Sequence, residues 1–572
     1  MSRLVLLSIV FALLACSLAV GSTLLVPGTY ASIQAAVDAA HTGDVIIVSP
    51  GTYSETIQFT GENIVLRSTA PANPAVVAST IIKSGGPGAI VRFYHGETRQ
   101  CVLSGFKIQG GGSLSGGGGI YCAGASPTIT RCLITGNKSS VGGCGIYYAN
   151  GSPAITWNTI TNNTASDPLG VNGGGICGVR TEGVSTPLIA HNMIRANSAS
   201  SGGGLYIDGG TPAITDNTIT ANRSTRGTGG GLALTVNGGA LSANIISGNI
   251  ADQSGGGIAC HERVGAAPPA ITGNTISNNR ATLGGGGLYT GVGCLVTNNI
   301  FDRNSATTTD TNYGAGGGVW VQATDCKLIN NTFYANSASG YGGGGVFVNA
   351  DCSVLLRNNI LSSHTVGGAF RSAGGTYTIA YNDFYNNSSG NILSRTNIAR
   401  NPLFADAQGG DFHLKSKSGR WNPATSSWVV DTVHSPCIDA GTVGWACNLE
   451  PAPKGGRVNL GFEGNTREAS KSQPPGSPAL AVTAAATPTA SGVVQISLQL
   501  SAPASVEVRV LNVAGREIAI LPARTLDAGP STVLWNARTT HGTIAPAGQY
   551  LVSLTANTED GATARFVTTL RR

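Results

Sequence analysis

The chain is poor in charge: Lys, Arg, Asp and Glu make up 11% of its 572 residues, aromatics make up 6%, and methionine occurs twice. No block or stripe of Lys and Arg is present, and the formal net charge of +6 is weak for this length. A nucleic-acid partner therefore has little support. No two cysteines have Cys-x-x-Cys spacing, the usual mark of a zinc site, and no metal site is read from the sequence. Apart from the N-terminus, no apolar run approaches the roughly 20 residues a membrane-spanning helix needs, so no transmembrane segment is expected.

The N-terminal run Leu4 to Ala15, behind a lone Arg3, is too short to span a bilayer and reads as a secretory signal. It is expected to occupy residues 1–21, with cleavage after Ala19 or Gly21. A lipoprotein box, Leu13-Leu14-Ala15-Cys16, is the alternative, with Cys16 acylated. Cleavage at Gly21 leaves 11 cysteines. Cys437 and Cys447 are close enough in sequence to close a loop by disulfide. The others read as small core residues.

Glycine is what the chain has in excess. Its 82 glycines come in clusters, not at every third position, which excludes collagen; the Val, Ile and Leu between clusters argue against disorder. A glycine cluster followed by an apolar residue recurs ten times, ending at Ile120, Ile146, Ile176, Leu205, Leu232, Ile258, Leu288, Val319, Val346 and Phe370. Each is followed by a turn and a second strand, such as Ile155 to Ile160 or Ile214 to Ile219. Those second strands align on Cys132, Asn158, Asn192, Asn217, Asn244, Asn274, Asn298, Asn331, Asn358 and Asn382, at a mean step of about 28 residues. A second column lies five places later: Asn137, Asn163, Asn197, Asn222, Asn249, Asn279, Asn336 and Asn387.

Repeats of this length are coils of a solenoid. One coil cannot bury its apolar side alone, but coils stacked about 4.8 Å apart form parallel sheets around a continuous core. Asn suits self-stacking at a bend because its amide both donates and accepts. Ahead of the repeats, Ile33, Ala36, Val37 and Ala40 share one face of a short helix ending near Gly43, placed to cover the first coil. The fold class expected is all-β: a right-handed parallel β-helix with an N-terminal capping helix, spanning 22–466. A Pro/Ala/Ser/Thr-rich linker over 467–491 leads to a small β-sandwich over 492–572, whose Trp535 reads as core.

Two features bear on function. The residue after each cluster-ending apolar residue should point outward; that column contains Tyr121, Tyr147, Tyr206, Tyr289, Trp320 and Phe347, an aromatic ladder suited to stacking sugar rings. Paired carboxylates or a base on neighbouring coils would be needed for catalysis. The turns offer Arg180, Glu182, Asp208, His261, Glu262 and Arg263, which otherwise read as solvated turn residues.

The opening Tyr30-Ala31-Ser32-Ile33-Gln34-Ala35-Ala36-Val37, with Gly43-Asp44-Val45-Ile46-Ile47-Val48-Ser49-Pro50-Gly51-Thr52-Tyr53, resembles the start of the pectin-lyase-like superfamily. The Gly-Gly-Gly-Ile, Ser-Pro-x-Ile-Thr and Asn repeats resemble secreted bacterial β-helix repeats, and Asn401-Pro402-Leu403-Phe404 through Arg457-Val458-Asn459-Leu460-Gly461 resembles their common ending. The resemblance implies the fold, not an activity. The polygalacturonase strings Asn-Thr-Asp, Asp-Asp, Gly-His-Gly and Arg-Ile-Lys do not occur, nor does Arg-x-Pro-x-x-Arg of many pectate lyases. The run Val510-Leu511-Asn512-Val513-Ala514-Gly515-Arg516, with Ala528-Gly529, Trp535-Asn536 and Ala547-Gly548-Gln549-Tyr550, resembles the immunoglobulin-like domain of flagellar hook-capping proteins. Related modules serve secretion sorting or surface attachment. The function expected is an exported, secreted or cell-surface protein contacting polysaccharide or surface glycan, with its C-terminal domain engaging secretion or attachment machinery. The alternatives are a polysaccharide lyase or glycoside hydrolase, and an adhesin or surface-layer component. No cofactor is identified; Ca²⁺ is the ion a lyase would call for.

Overall fold

The computed structural model describes residues 21–572 except 114–115, 167–169, 264, 309–314, 341, 475–479 and 560–561. The secretory run and Cys16 lie outside the described residues. Two compact units divide between Pro269 and Ala270.

A single coil of the first unit shows how the repeat folds. Strands Leu205–Asp208, Ala213–Thr215, Thr218–Thr220 and Arg223–Ser224 follow one another around the coil. Each pairs in parallel with the equivalent strand of the next coil, Leu205 with Leu232, Ile214 with Leu241, Ile219 with Ile246 and Ser224 with Ala251. Alternation turns Leu205, Ile207, Ile214 and Ile219 inward, each at most 1% exposed. The run Ile155 to Ile160, expected as one strand, is two: Ala154–Thr156 and Thr159–Thr161. Trp157 turns the chain with φ at 59°, and Asn158 points into the coil.

The same corner recurs: one residue in the left-handed region, then an inward Asn, then the next strand. At Asn217 the Oδ1 accepts from the N and Nδ2 of Asn192, each at 3.0 Å. Its own Nδ2 donates to Asn244 Oδ1 at 3.0 Å and to Ile189 O at 2.8 Å. Asn222 repeats the scheme at the next corner, between Asn197 and Asn249. A buried amide is costly unless all its groups are paired; here pairing is possible only when the neighbouring coil presents another amide in register. Glycine clusters serve close approach as well as turning. Gly204 has an ordinary φ, yet a Cβ there would lie 2.6 Å from Gly231 O.

In the second unit the ladder runs Asn274, Asn299, Asn331, Asn359, Asn382 and ends on Asn397. Asn298 and Asn358, expected in the ladder, are instead the left-handed residues just before it, with φ of 56° and 57°. Their side chains point away from the core: Asn298 Nδ2 donates to Phe462 O and Gly464 O, both at 2.8 Å. Asn358 Oδ1 accepts from Thr442 N at 2.9 Å and Thr442 Oγ1 at 2.8 Å. The second column includes Asn304, which the sequence reading omitted, and His364 takes an Asn place. His364 Nδ1 donates to Asn387 Oδ1 at 2.9 Å, and Nε2 faces Asn336 Nδ2 at 3.5 Å, so a neutral Nδ1–H ring preserves the donor–acceptor sense.

The segment after the last coil is largely irregular, and buried carboxylates satisfy its backbone. Glu463 accepts from Leu414 N at 2.7 Å and Ser470 N at 2.8 Å. Cys437 and Cys447 are both free thiols, contrary to the expected disulfide. Cys437 is enclosed in a core with Ile360, Leu414 and Leu460, its thiol donating to Asp383 Oδ2 at 3.3 Å, whereas Cys447 faces Gly455 O. Near the N-terminus a helix over Ile33–Ala39 buries Ile33, Ala36 and Val37.

Among the described residues seven antiparallel strands form the C-terminal domain, in sheets of three and four. Val482–Pro488, assigned to the linker by composition, is one of them, paired with Val494–Leu500. Trp535 is 1% exposed and donates through Nε1 to Arg538 O at 2.8 Å.

Two measurements test the ladder. Asn217→Ala leaves Asn192 N without its acceptor and takes one amide partner each from Asn192 Nδ2, Ile189 O and Asn244 Oδ1, and is expected to destabilise the solenoid by on the order of 3 kcal/mol; an unchanged urea midpoint would refute the ladder's structural role. Burial pushes the His364 imidazole down to about 4 from 6.5. The unfolded chain then takes up a proton first as pH falls below about 6.5, and stability is lost progressively down to about 4, by about 3 kcal/mol in all. His364→Asn should abolish this acid sensitivity, seen as a melting-temperature gap between variant and wild type that widens below pH 6.

Candidate functional site

The outward aromatic column lies on the sheet that follows each glycine cluster. In the first unit Tyr121, Tyr147 and Tyr206 are half-buried, and Cys177, Ala233 and Ala259, in the same column, are buried. Tyr121 and Tyr147 stack with centroids 5.6 Å apart and planes 4° from parallel. In the second unit Tyr289 and Trp320 meet edge to face at 5.4 Å. Phe347 is 2% exposed and offers no ring face to a ligand, a correction to its place among the glycan candidates. Along the whole column the glycine cluster folds back over the residue: a Cβ on Gly284 would lie 2.4 Å from the Trp320 ring, one on Gly143 2.7 Å from Tyr147 Cβ and one on Gly343 2.9 Å from Phe347 Cβ. Burial also pushes the phenols of Tyr147, Tyr206 and Tyr289 up.

The candidate catalytic turns converge in part. Asp208 Oδ1 accepts from Arg263 Nη1 at 2.6 Å, two coils away. A Cβ on Gly209 would lie 2.9 Å from Arg180 Cβ and 3.5 Å from Arg263 Nη1, so Arg180 borders the same spot, its Nε donating to Gly183 O at 2.5 Å. His261 Nε2 is 2.7 Å from Thr228 Oγ1, and burial pushes its pKa down, which keeps the ring neutral near pH 7. Glu182 and Glu262 are exposed; the backbone of Glu182 is tied to Asn150 Oδ1 at 3.2 Å. The arrangement is therefore an ion pair beside a second arginine, with a neutral imidazole. The carboxylate of Asp208 is engaged by a guanidinium, so these residues do not assemble an acid–base carboxylate pair. Among the described residues no three His, Cys, Asp or Glu side chains cluster as a metal site would require.

A third feature lies on the outside of the corners and is not marked by the repeat pattern. The left-handed residue before each ladder position points its side chain outward, and in the first unit this stripe reads Arg131 (ahead of Cys132), Trp157, His191, Asp216 and Ala243, with φ of 53–59°. Trp157 is 57% exposed, and its indole stacks on His191 at 4.3 Å and 15°. Beside it lies a cleft of about 340 Å³ lined by Pro71, Pro74, Val77, Arg131, Trp157 and Thr159, among others. Reading the column one place ahead of the Asn ladder would have exposed the stripe.

Comparison with known proteins agrees with this architecture. Residues 64–249 match the model of the right-handed beta helix region, and residues 483–560 that of the FlgD Ig-like domain. Residues 270–441 match the family described as disaggregatase related. Of solved structures, FlgD from P. aeruginosa is 21% identical, over 16% of this chain and 74% of its own, with a TM-score of 0.14. No curated protein matches. The class defined is the right-handed parallel β-helix. In particular, this chain joins a β-helix region and a disaggregatase-related segment to a C-terminal FlgD Ig-like domain. Among the described residues no helix is long and apolar enough to cross a membrane.

The Asp208–Arg263 pair is about one-third exposed on each side, so Asp208→Asn should shift unfolding free energy by less than about 1 kcal/mol. A larger loss on chemical denaturation would make the pair a structural clamp.

Proposed function

We propose that the protein is an exported β-helix scaffold that contacts polysaccharide or cell-surface glycan, with the C-terminal Ig-like domain serving sorting or attachment. The observation that carries this reading is the parallel Tyr121–Tyr147 stack, held half-exposed on a sheet whose spacing is fixed by the core. Rigid aromatic edges with their phenol hydroxyls, flanked by polar turns, suit contact with the C–H groups and hydroxyls of sugar rings. Asp208, Arg263 and Tyr206 extend that surface with hydrogen-bonding groups.

A second reading, polysaccharide lyase, is favoured by the neutral His261 and the arginines at 180 and 263: one could take a proton, the others neutralise an acidic sugar. A glycan panel read for binding and for release of unsaturated or reducing ends separates the two. Binding without turnover, weakened by Tyr147→Ala, is the expected result. Turnover lost in His261→Ala would establish the lyase instead, and silence in both assays would refute the glycan reading.

A further inference from the structure

The left-handed corner stripe behaves differently in the two units. In the second unit the chain's own C-terminal segment docks on it: Asn298 and Asn330 donate to Gly464 O, at 2.8 and 3.1 Å, and Asn358 accepts from Thr442. In the first unit an excursion of the chain covers the corner at Gly105, where a Cβ would lie 2.6 Å from Pro71. Past that excursion the stripe is occupied by Arg131, Trp157 and His191, and the cleft opens between the excursion and Trp157. Trp157 is a large side chain on a left-handed backbone, a conformation costing on the order of 1 kcal/mol. Ala243 takes the equivalent corner before Asn244, and Ala196 and Ala221 the left-handed places at the next corner, so the fold does not call for an indole there. Arg131 is exposed, and its guanidinium has no ion-pair or hydrogen-bond partner among the described residues.

We propose that this cleft is a binding subsite for one anionic pyranose ring, bearing a carboxylate or a sulfate, within a longer polysaccharide. The apolar face of the ring lies on Trp157, and its anion pairs with Arg131. His191 is a positioning residue: stacked at 4.3 Å behind the indole, it fixes the platform. Pro71, Pro74 and Val77 form the facing apolar wall, and about 340 Å³ is near the lower end of ligand-site volumes, the scale of a single ring. Indole stacking favours the C–H face of a sugar, and an unpaired guanidinium favours a planar carboxylate or a sulfate over a hydroxyl. The proposal rests on the glycan reading above and adds the site and the charge of the ligand.

The test uses the full mature chain and three oligosaccharides of equal length: an oligogalacturonate, a sulfated glycosaminoglycan fragment and a neutral glucan. Wild type should bind one or both anionic oligomers more tightly than the glucan, and comparing the two distinguishes carboxylate from sulfate. Trp157→Ala should weaken that binding by about tenfold, the size of a lost stacking contact, with an unchanged melting temperature. Arg131→Gln should remove the preference for the anionic oligomers and flatten the salt dependence. If wild type binds glycans and neither substitution alters binding, the cleft is not the site and the glycan reading stands on the tyrosine surface. If wild type binds none of the three, both fall. Equal binding of the glucan, lost in Trp157→Ala but not in Arg131→Gln, would overturn the anionic specificity.

Discussion

A buried side-chain amide that can be satisfied only by another amide one coil away is the constraint on which the solenoid depends. Aliphatic stacking supplies most of the burial, yet Ile on Ile is indifferent to a slip of two residues along a strand. Asn217 is not: Asn192 and Asn244 must stand directly behind and ahead of it. With two such chains per coil, at the corners marked by Asn217 and Asn222, both ends of a three-residue strand are pinned. Strands this short would specify little by themselves, and the length variation of the coils is pushed into the glycine-rich turns and the loops opposite.

Fixing the corners also determines what the surface can display. The residue before each Asn is forced into the left-handed region, so whatever stands there projects outward at coil spacing. Glycine or alanine leaves the corner bare, Asn298 and Asn358 make it a dock for the chain's own C-terminal segment, and Trp157 makes it a platform. The outward tyrosines occupy a sheet face instead and are partly roofed by the glycine turns; in the same column Phe347 is buried, while Tyr121 and Tyr147 keep an exposed edge.

The repeat was legible in the sequence because periodic Ile, Gly and Asn obey the same physics in every coil. The errors came where two residues of one kind adjoin. In the Asn-Asn pairs at 298–299 and 358–359 only backbone handedness decides which amide turns inward, and composition carries no sign of it. Val482–Pro488 was hidden for a different reason: its Ala, Thr and Pro read as linker, and its strand character comes from pairing with Val494–Leu500. The candidate site was less legible. Asp208 and Arg263 meet across two coils because of the coil geometry, and the Trp157 cleft needs the Pro71–Val77 excursion, whose place over the corner no local pattern announces.

The ladders have a direction. In each unit every Oδ1 faces the preceding coil and every ladder Nδ2 has a hydrogen bond to the following one, from Asn158 to Asn217 and again from Asn274 to Asn382. Amide dipoles aligned head to tail add along the axis, as peptide dipoles do in a helix. A solenoid built this way carries along each amide row a polarity independent of any ionisable residue.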